Sequence, residues 1–452
     1  MISIPNPVAA STRARPNHPA IVYGKTSYTY SELLLMVRGC AAYLNQEGVS
    51  AGDTIGLVGH SSPEWAVALH GIGWLGAIAA PIPNDCTPIE RAKIEKDLVL
   101  SHTIDASSLD LSSLLNTPDL SAPKELEWPL ESIRLKVMTS GSTGVAKVAE
   151  ITTSQLMFSA MGSAIRLGHD TKDVWLNCLP LHHIGGLSVL YRCSWYATTV
   201  AIHDGFDPTA VCSAIDNDLV TMISLVPTML TDLLDHRAPS PLPTTLRVIL
   251  LGGAAASRSL LERCKNLELP VAQSWGMTEA ASQIATSMTG EFTTGVGAPL
   301  CFAKVDSIDG KLTVEGPLVS SKITTNDMGH VDEDGRVHIS GRTDSVINSG
   351  GKKINPREIE EVLQASPYIK EVAVVGVADS RWGEAVAAVV VTINDKDNDL
   401  DEFRRLDDWC AKHLASWKRP KKWRRVTALP KTSLGKLRHG AIRDLFMGPQ
   451  EK

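Results

Sequence analysis

Short apolar runs typical of β-strands alternate with amphipathic helical segments over most of the chain. Strands are predicted at 54–58, 174–179 and 247–251, for example, and helices at 30–45 and 207–217. Strands that alternate with helices usually form parallel sheets, because each crossover helix packs on a sheet face. The pattern predicts an α/β fold whose large N-terminal domain consists of layered α/β subdomains with mainly parallel sheets.

The pattern changes near Asp344, beyond which a compact α+β arrangement is predicted. A helix is expected to begin at Asn355 and Pro356, because Asn is a good cap and Pro suits the first helical turn. A chain of 452 residues also exceeds the roughly 250–300 residues at which single cores stop growing. We therefore expect an N-terminal domain at 1–343 and a small, mobile C-terminal domain at 344–452.

Charge and apolar content argue against several classes of protein. Lys and Arg total 44, Asp and Glu total 50, and the formal charge is −6, which is unlike a general binder of nucleic acid or anionic membranes. The apolar stretch 65–80 contains His70 and is shorter than the ~20 residues of a membrane helix. We expect it to form a buried helix followed by a strand. Residues 1–20 lack the apolar segment of a secretory signal.

The eight cysteines are scattered and form no CxxC pair, which argues against a zinc site. Free thiols in a large chain are typical of the reducing cytoplasm, so a cytoplasmic location is predicted. The sequence leaves open whether the chain forms a homo-oligomer.

A run of hydroxyl and glycine residues lies shortly before Lys147. The backbone N–H groups and hydroxyls of such a loop can surround a polyphosphate, and Lys147 would add a point charge. A flexible Ser/Gly linker is the alternative. The candidate phosphate-binding residues are Thr139, Ser140, Gly141, Ser142, Thr143 and Gly144.

A second segment, 273–279, combines an aromatic ring with a hydroxyl and a carboxylate. Trp275 is suited to stack on a planar base, while Thr278 and Glu279 are suited to hold phosphate and a magnesium ion. The alternative is a strand end with a buried tryptophan.

Two further segments carry charged candidates. A carboxylate such as Asp327 accepts two hydrogen bonds from vicinal ribose hydroxyls, and Arg342 adds a donor fork; a surface salt bridge is the alternative. Near the C-terminus, Lys436 follows Gly435 on a loop. Its charge would stabilise a carboxylate attacking an α-phosphate, whereas the alternative is a solvated basic tail.

In their residues and in their order along the chain, these segments resemble the motifs of the adenylate-forming superfamily of acyl- and aryl-CoA synthetases, luciferases and peptide-synthetase adenylation domains. The resemblance extends from 27–33 to Lys436. It implies an enzyme that uses ATP and Mg²⁺ to convert a carboxylic acid into an acyl-adenylate and then transfers the acyl group to coenzyme A. It departs from the common pattern at Trp275, where Tyr is more usual.

The resemblance also implies residue roles. Thr278 would contact phosphate, Glu279 would hold magnesium, and Asp327 with Arg342 would bind ribose. Asp344 would be the hinge about which the C-terminal domain turns between half-reactions. The catalytic lysines would be Lys436, for adenylation, and Lys147, in the phosphate loop. The residues implied to line the adenine and acyl pocket are Gly252, Gly253, Ala254, Ser274, Trp275 and Gly276. The loop implied to approach pantetheine is 349–351.

Segments 179–188 and 224–230 look most like the 2-succinylbenzoate–CoA ligases of menaquinone and phylloquinone synthesis. Such a substrate keeps one carboxylate charged while the other reacts, so its pocket needs a cation or several hydrogen-bond donors. We hypothesise that Arg192 pairs with that carboxylate, with Ser224 nearby, although an arginine reaching to the surface is the alternative. His183 resembles a gating residue of the acyl pocket; a helix-capping histidine is the alternative.

Other functions remain open from the sequence. Within the family, the chain could be another aryl- or medium-chain acyl-CoA synthetase, or an adenylation enzyme that loads a carrier protein. From a different class, it could be a nucleotide-binding scaffold or sensor without turnover. A mere binder needs neither Glu279 nor Lys436, so the presence of both favours the enzyme.

Overall fold

A computed structural model of the 452-residue chain describes the structure of most of its length. No helix within the described residues combines the length and apolar character needed to cross a membrane. The described residues are 2–84, 86–116, 124, 127–139, 147–217, 220–393, 399–432 and 435–447.

Helices and strands follow one another through both halves of the described chain. The helices are α1 (Pro7–Ala14), α2 (Tyr30–Gln46), α3 (Pro63–Trp74), α4 (Pro88–Leu98), α5 (Leu111–Leu115), α6 (Thr153–Leu167), α7 (Ile184–Tyr196), α8 (Pro208–Asn217), α9 (Pro227–Arg237), α10 (Arg258–Asn266), α11 (Pro356–Gln364), α12 (Asp399–His413) and α13 (His439–Asp444).

The strands are β1 (Ser3–Ile4), β2 (Pro19–Tyr23), β3 (Thr26–Thr29), β4 (Thr54–Val58), β5 (Ile78–Pro81), β6 (His102–Asp105), β7 (Trp128–Pro129), β8 (Ile133–Thr139), β9 (Lys147–Thr152), β10 (Val174–Asn177), β11 (Thr199–Ile202), β12 (Met222–Leu225), β13 (Val248–Leu251), β14 (Val271–Met277), β15 (Ser282–Thr286), β16 (Ala298–Pro299), β17 (Lys304–Ile308), β18 (Lys311–Glu315), β19 (Ile323–Val331), β20 (Val337–Arg342), β21 (Ile347–Ser349), β22 (Lys352–Ile354), β23 (Ile369–Asp379), β24 (Gly383–Thr392) and β25 (Lys422–Arg425).

Helix starts follow from local side-chain chemistry. Thr152 and Gln155 form a reciprocal capping box at the start of α6, which satisfies backbone N–H groups that have no partner within the helix. Asn355 accepts a hydrogen bond from the N–H of Arg357, and Pro356 opens α11, as the sequence predicts.

A nine-stranded sheet with the strand order β16-β15-β14-β13-β12-β10-β11-β2-β3 positions most candidate residues of the N-terminal part. Strands β2, β11, β10, β12, β13 and β14 run parallel. Ser224 pairs in register with Leu250, and Leu251 with Gln273. The carboxyl ends of β12, β13 and β14 therefore lie side by side, where ligands of open parallel sheets usually bind.

A second sheet has the order β6-β4-β5-β8-β9. Its first four strands are parallel, and β9 closes it by antiparallel pairing with β8. The predicted helix and strand within 65–80 are observed as α3 and β5. Their buried side chains join the main core.

The C-terminal sheet has the order β22-β21-β24-β23, with β25 parallel to β24. Neighbouring residues of β23 point to opposite faces. Val372 and Val374 pack in one apolar cluster with residues of α11 and α12, and Ala373 and Val375 pack in another with Ile442 of α13. Both faces are thus covered, which explains the continuous apolar runs 372–378 in β23 and 385–391 in β24.

The chain divides into two compact units. The first comprises Met1–Gly253, Leu267–Val305 and Val314–Ile323, and the second comprises Ala254–Asn266, Asp306–Thr313 and Thr324–Lys452. The second unit includes strands β19 and β20, which precede Asp344. The division at 343/344 stays a prediction. The α/β class with mainly parallel sheets and an α+β C-terminal part is confirmed.

Candidate functional site

Arg192 lies on α7 and is buried, with 1 % of its surface exposed. Its guanidinium carbon lies 5.4 Å from the centre of the Trp175 ring. Trp175, on β10, donates a hydrogen bond from Nε1 to Oγ of Ser224 on β12 at 3.0 Å. The structure therefore connects the predicted pair Arg192 and Ser224 through Trp175, which sequence reasoning missed. Little in the sequence indicates this contact, because β10 and β12 are adjacent in the sheet but separated in sequence by α7, β11 and α8.

Nε and Nη2 of Arg192 are buried and have no hydrogen-bond partner among the described residues. The alternative of an arginine that extends to the surface is therefore wrong. Burial lowers the pKa of the Arg192 guanidinium, because a low-dielectric environment disfavours the charged form. A buried cation with unused donors is suited to accept an anion.

His183 occupies the N-cap position of α7, but its side chain makes no capping hydrogen bond. The ring packs against His182, with the ring centres 4.3 Å apart. A Cβ at Gly186 would lie 2.6 Å from the carbonyl oxygen of Pro180, so the backbone approaches closely here because this position is glycine. A gating role for His183 stays a prediction.

Thr139, the last residue of β8, pairs with Lys147, the first residue of β9. The Thr139 hydroxyl donates to the carbonyl oxygen of Lys147 at 3.2 Å. The rest of the predicted phosphate loop, from Ser140 through Gly141, Ser142, Thr143 and Gly144 to Ala146, lies outside the described residues.

The predicted pocket residues on β13 and β14 lie close together. Gly252 and Gly253 directly follow β13, and Ala254 comes next in sequence. The site of a Cβ at Gly252 is 3.4 Å from the carbonyl oxygen of Ser274. Trp275 is 7 % exposed, which agrees with a buried tryptophan at a strand end. Its stacking on a base stays a prediction.

The end of β14 is bent by a bulge between Trp275 and Gly276. A Cβ at Gly276 would lie 1.7 Å from the carbonyl oxygen of Ser282, so this position accepts only glycine. The bulge leads directly into a short 3-10 turn, Thr278–Ala280, which carries the predicted phosphate and metal residues.

Thr278 and Glu279 are held in place from α6. Gln155 donates from Nε2 to the carbonyl oxygen of Glu279 at 2.8 Å, and Ser159 donates to that of Ala281 at 2.8 Å. The turn also contacts β9, whose first residue is Lys147. The structure thus holds the turn that carries the predicted metal carboxylate against α6 and β9. Sequence reasoning did not find Gln155.

The predicted metal residue, Glu279, is compatible with a magnesium ion that binds together with a nucleotide. The described residues contain no group of three or more His, Cys, Asp and Glu side chains placed to hold a metal by themselves. Magnesium commonly takes one or two protein carboxylates and completes its shell with phosphate oxygens and water. A single carboxylate at Glu279 is therefore sufficient.

In the second unit, β19 and β20 place Asp327 directly opposite Arg342. Arg342 donates from Nε and Nη2 to the two carboxylate oxygens of Asp344, at 3.0 and 2.8 Å, and from Nη1 to Asp327 at 3.3 Å. These bonds, led by the one to Asp344, raise the pKa of Arg342. The guanidinium of Arg342 therefore binds both its predicted ribose-binding partner, Asp327, and the predicted hinge residue, Asp344.

Lys436 lies on a loop between Lys431 and Leu437, which pair as an isolated bridge. The Lys436 side chain keeps contact with solvent. Partial burial, and then the neighbouring Arg342 cation, nevertheless lower its pKa, against the opposing effect of Asp327. Lys436 and the Asp327–Arg342 pair belong to the same compact unit.

Two family models match the chain. The model described as AMP-binding enzyme matches residues 8–322, and the model described as AMP-binding enzyme C-terminal domain matches residues 358–436. The first alone covers more than half of the chain.

Several relatives match over nearly the whole length. A 2-succinylbenzoate–CoA ligase of Bacillus cereus is 31 % identical over 98 % of this chain and 99 % of that protein. One of Bacillus thuringiensis is 30 % identical over the same shares.

The solved structure of o-succinylbenzoate CoA synthetase from Bacillus subtilis, in complex with the acyl-adenylate intermediate OSB-AMP, superposes with a TM-score of 0.88 at 30 % identity, covering 98 % of this chain and 99 % of that chain. A second structure of that enzyme, in complex with ATP and magnesium, gives a TM-score of 0.87 at 29 % identity and covers 98 % and 100 %. The family predicted from the motifs is thereby confirmed, and the chain belongs to the AMP-binding enzyme family.

Proposed function

We propose that the chain is an AMP-forming acid–CoA ligase that converts 2-succinylbenzoate into 2-succinylbenzoyl-AMP and then 2-succinylbenzoyl-CoA, in menaquinone or phylloquinone biosynthesis. The observation that carries this proposal is the buried guanidinium of Arg192, whose Nε and Nη2 have no partner among the described residues. The similarity to 2-succinylbenzoate–CoA ligases over almost the full length of both proteins supports it.

Arg192 favours a substrate with two acidic groups. An unpaired buried charge costs several kcal/mol, roughly 3–5 kcal/mol when a partner has been removed. Benzoate and fatty acids bring one carboxylate, which is consumed by the reaction. 2-Succinylbenzoate brings a second, on the aromatic ring, which would pair with Arg192 while the succinyl carboxylate reacts. Ser224, oriented by Trp175, lies in the same cluster.

In the first half-reaction, an oxygen of the succinyl carboxylate attacks the α-phosphorus of ATP. The new P–O bond forms the acyl-adenylate, and the bond to the departing pyrophosphate breaks. Lys436 would stabilise negative charge on the α-phosphate and on the attacking oxygen. Lys147 and Thr278 would hold the outer phosphates, together with Thr139 and the loop that follows it.

Magnesium, bound with the nucleotide at Glu279, would neutralise charge on pyrophosphate. Asp327 would accept hydrogen bonds from the ribose hydroxyls, with Arg342 beside it. The adenine and acyl group would lie along Gly252–Ala254 and Ser274–Gly276, where the carboxyl ends of β13 and β14 meet. His183 would limit access to the acyl pocket.

In the second half-reaction, the sulfur of CoA attacks the acyl carbonyl carbon and AMP leaves with the electrons of the broken C–O bond. The proposal assigns Asp344 as the hinge for the change between half-reactions. The loop at Gly350 would then approach pantetheine. It is a defined turn, because the Gly350 N–H donates to the carbonyl oxygen of Trp382 at 2.8 Å.

The proposed location is the cytoplasm, where both ATP and CoA are available. None of the eight cysteines, all of which lie within the described residues, forms a disulfide, which supports a reducing compartment.

The proposal is tested by CoA-dependent AMP formation with Mg-ATP and a panel of acids: 2-succinylbenzoate, benzoate and octanoate. We expect a clear preference for 2-succinylbenzoate. Turnover with only the other acids would support the assignment as an acid–CoA ligase and contradict the assignment of 2-succinylbenzoate as its substrate. Release of pyrophosphate without a thioester product would point instead to a carrier protein as acceptor.

A further inference from the structure

Two side chains that follow Asp344 in sequence bind the backbone of the strand that precedes it. Asn355 donates from Nδ2 to the carbonyl oxygen of Ser340. Arg357 donates from Nη1 to the carbonyl oxygen of Ile339 at 2.8 Å. Both acceptors belong to β20, and both donors belong to the start of α11. These bonds therefore span the residue that the proposed function assigns as the hinge.

The contact at the hinge is close. A Cβ at Gly341 would lie 2.7 Å from Oδ1 of Asn355, so β20 and the cap of α11 touch directly. Arg342 holds the Asp344 carboxylate through two hydrogen bonds at the same place. Rotation about Asp344 would move α11 away from β20 and break the bonds made by Asn355 and Arg357.

In the proposed function, the arrangement that these bonds hold is the one in which the adenylate forms. In it the loop that carries Lys436 belongs to the same compact unit as Asp327 and Arg342, the residues proposed to bind ribose, and burial together with the Arg342 cation lowers the pKa of Lys436. Water can also reach the two acceptor residues of these bonds, because Ser340 is exposed and Ile339 is only half-buried. Water can replace the lost partners when the bonds break.

We propose that Asn355 and Arg357 form a latch that holds the C-terminal part of the chain in its adenylate-forming arrangement and opens before thioester formation. Both are positioning residues, since neither is assigned to contact substrate. The inference rests on the proposed two-step reaction and on Asp344 as its hinge. It does not depend on which acid is the substrate.

Asn355→Asp is the sharpest variant. An aspartate still accepts the hydrogen bond that Oδ1 of Asn355 receives from the N–H of Arg357, so α11 keeps its cap. It has no donor for the carbonyl oxygen of Ser340, however, and opposes it with an oxygen. Arg357→Met removes the other bond while keeping an unbranched side chain. Glu361→Gln is the matched control, because it removes the Arg357–Glu361 ion pair at 3.0 Å without removing a latch donor.

The readout is the ratio of two rates in the full-length protein: acid-dependent ATP–pyrophosphate exchange, and thioester formation from supplied acyl-adenylate and CoA. We expect each latch variant to lower the first rate relative to the second by about three- to tenfold, the equivalent of one net hydrogen bond. Glu361→Gln should retain the wild-type ratio.

A wild-type ratio in both latch variants would overturn the proposal, as would an equal loss of both rates, which is what a purely structural role predicts. Melting temperatures show whether each variant folds. If Asn355→Asp does not fold, the rate ratio of Arg357→Met alone decides whether the latch exists. Both rates are measured with whichever acid the wild type activates. An incorrect substrate assignment would therefore show in the acid panel, and the ratio of the two rates could still be measured.

Discussion

Arg192 has two opposite consequences at the scale of a single residue: it disfavours folding and favours binding. Its buried Nε and Nη2 donors lack partners among the described residues, and an unsatisfied buried polar group costs about 1–3 kcal/mol. The same donors would become bonded when an anionic group arrives. Functional residues commonly carry such a cost in the free protein.

We predict that Arg192→Met raises the melting temperature of the free protein, by the equivalent of about 1–3 kcal/mol, and lowers kcat/KM for 2-succinylbenzoate at least a hundredfold, equivalent to about 3 kcal/mol. Thermal unfolding and steady-state AMP formation measure the two effects. A less stable Arg192→Met protein with an unchanged kcat/KM would mean that Arg192 is structural.

The second residue-scale prediction concerns Lys436. Partial burial and Arg342 lower the pKa of this ammonium below its ordinary value of 10.5, so it loses its charge at a lower pH than a free lysine. Because the proposed adenylation needs the charge, pyrophosphate exchange should decline as pH rises toward that lowered pKa. Lys436→Arg should remove the alkaline decline, since arginine stays protonated. A decline unchanged in Lys436→Arg would assign it to another group.

The sequence predicted some residues better than others. Arg192 and Ser224 could be paired because a doubly charged substrate requires a cation, a requirement of charge rather than of fold. Trp175 could not be found in this way, since its role depends on strand order. The sharing of Arg342 between Asp327 and Asp344 depends on strand register, which the sequence alone leaves open.

At the scale of elements, the sequence pattern predicted most boundaries to within one or two residues. Asn355 and Pro356 correctly marked the start of α11, and β4 has its predicted bounds. The strand predicted at 174–179 ends earlier, at Asn177. Asn177 accepts a hydrogen bond from the N–H of Leu179, and this local turn competes with the ladder.

The carboxyl of Glu360 links α11 to the neighbouring sheet. Its Oε1 accepts the backbone N–H of Val374, on β23, at 2.8 Å, and burial raises its pKa from 4.5 to about 7. The folded-state pKa thus exceeds the ordinary value. Its contribution to stability is complete below pH 4.5 and is lost as pH rises through about 7.

We therefore expect Glu360→Gln to raise the melting temperature at pH 8, by the equivalent of on the order of 2 kcal/mol, with little change at pH 4.5. Glu361→Gln is the control: this exposed neighbour is the last of the causes that raise the pKa of Glu360, so its removal should give a much smaller gain at pH 8. A gain for Glu360→Gln that is equal at both pH values would show that Glu360 is not the titrating group.

At the scale of the whole molecule, the alternation of strands and helices predicted the parallel α/β class, because few other arrangements cover both faces of such strands. The motifs predicted the family. The division at 343/344 is a prediction of a different kind, since it concerns how the chain moves. The bonds from Asn355 and Arg357 to β20 show that the chain on either side of Asp344 is fastened together in this structure.

The central claim, that this ligase recognises the ring carboxylate of 2-succinylbenzoate, is tested most directly by comparing two acids that differ only in that group. The measurement is kcat/KM of the wild-type protein for CoA-dependent AMP formation with 2-succinylbenzoate and with 4-oxo-4-phenylbutanoate. Pairing of the ring carboxylate with Arg192 predicts a preference for 2-succinylbenzoate of at least about a hundredfold. Equal values for the two acids would contradict the account.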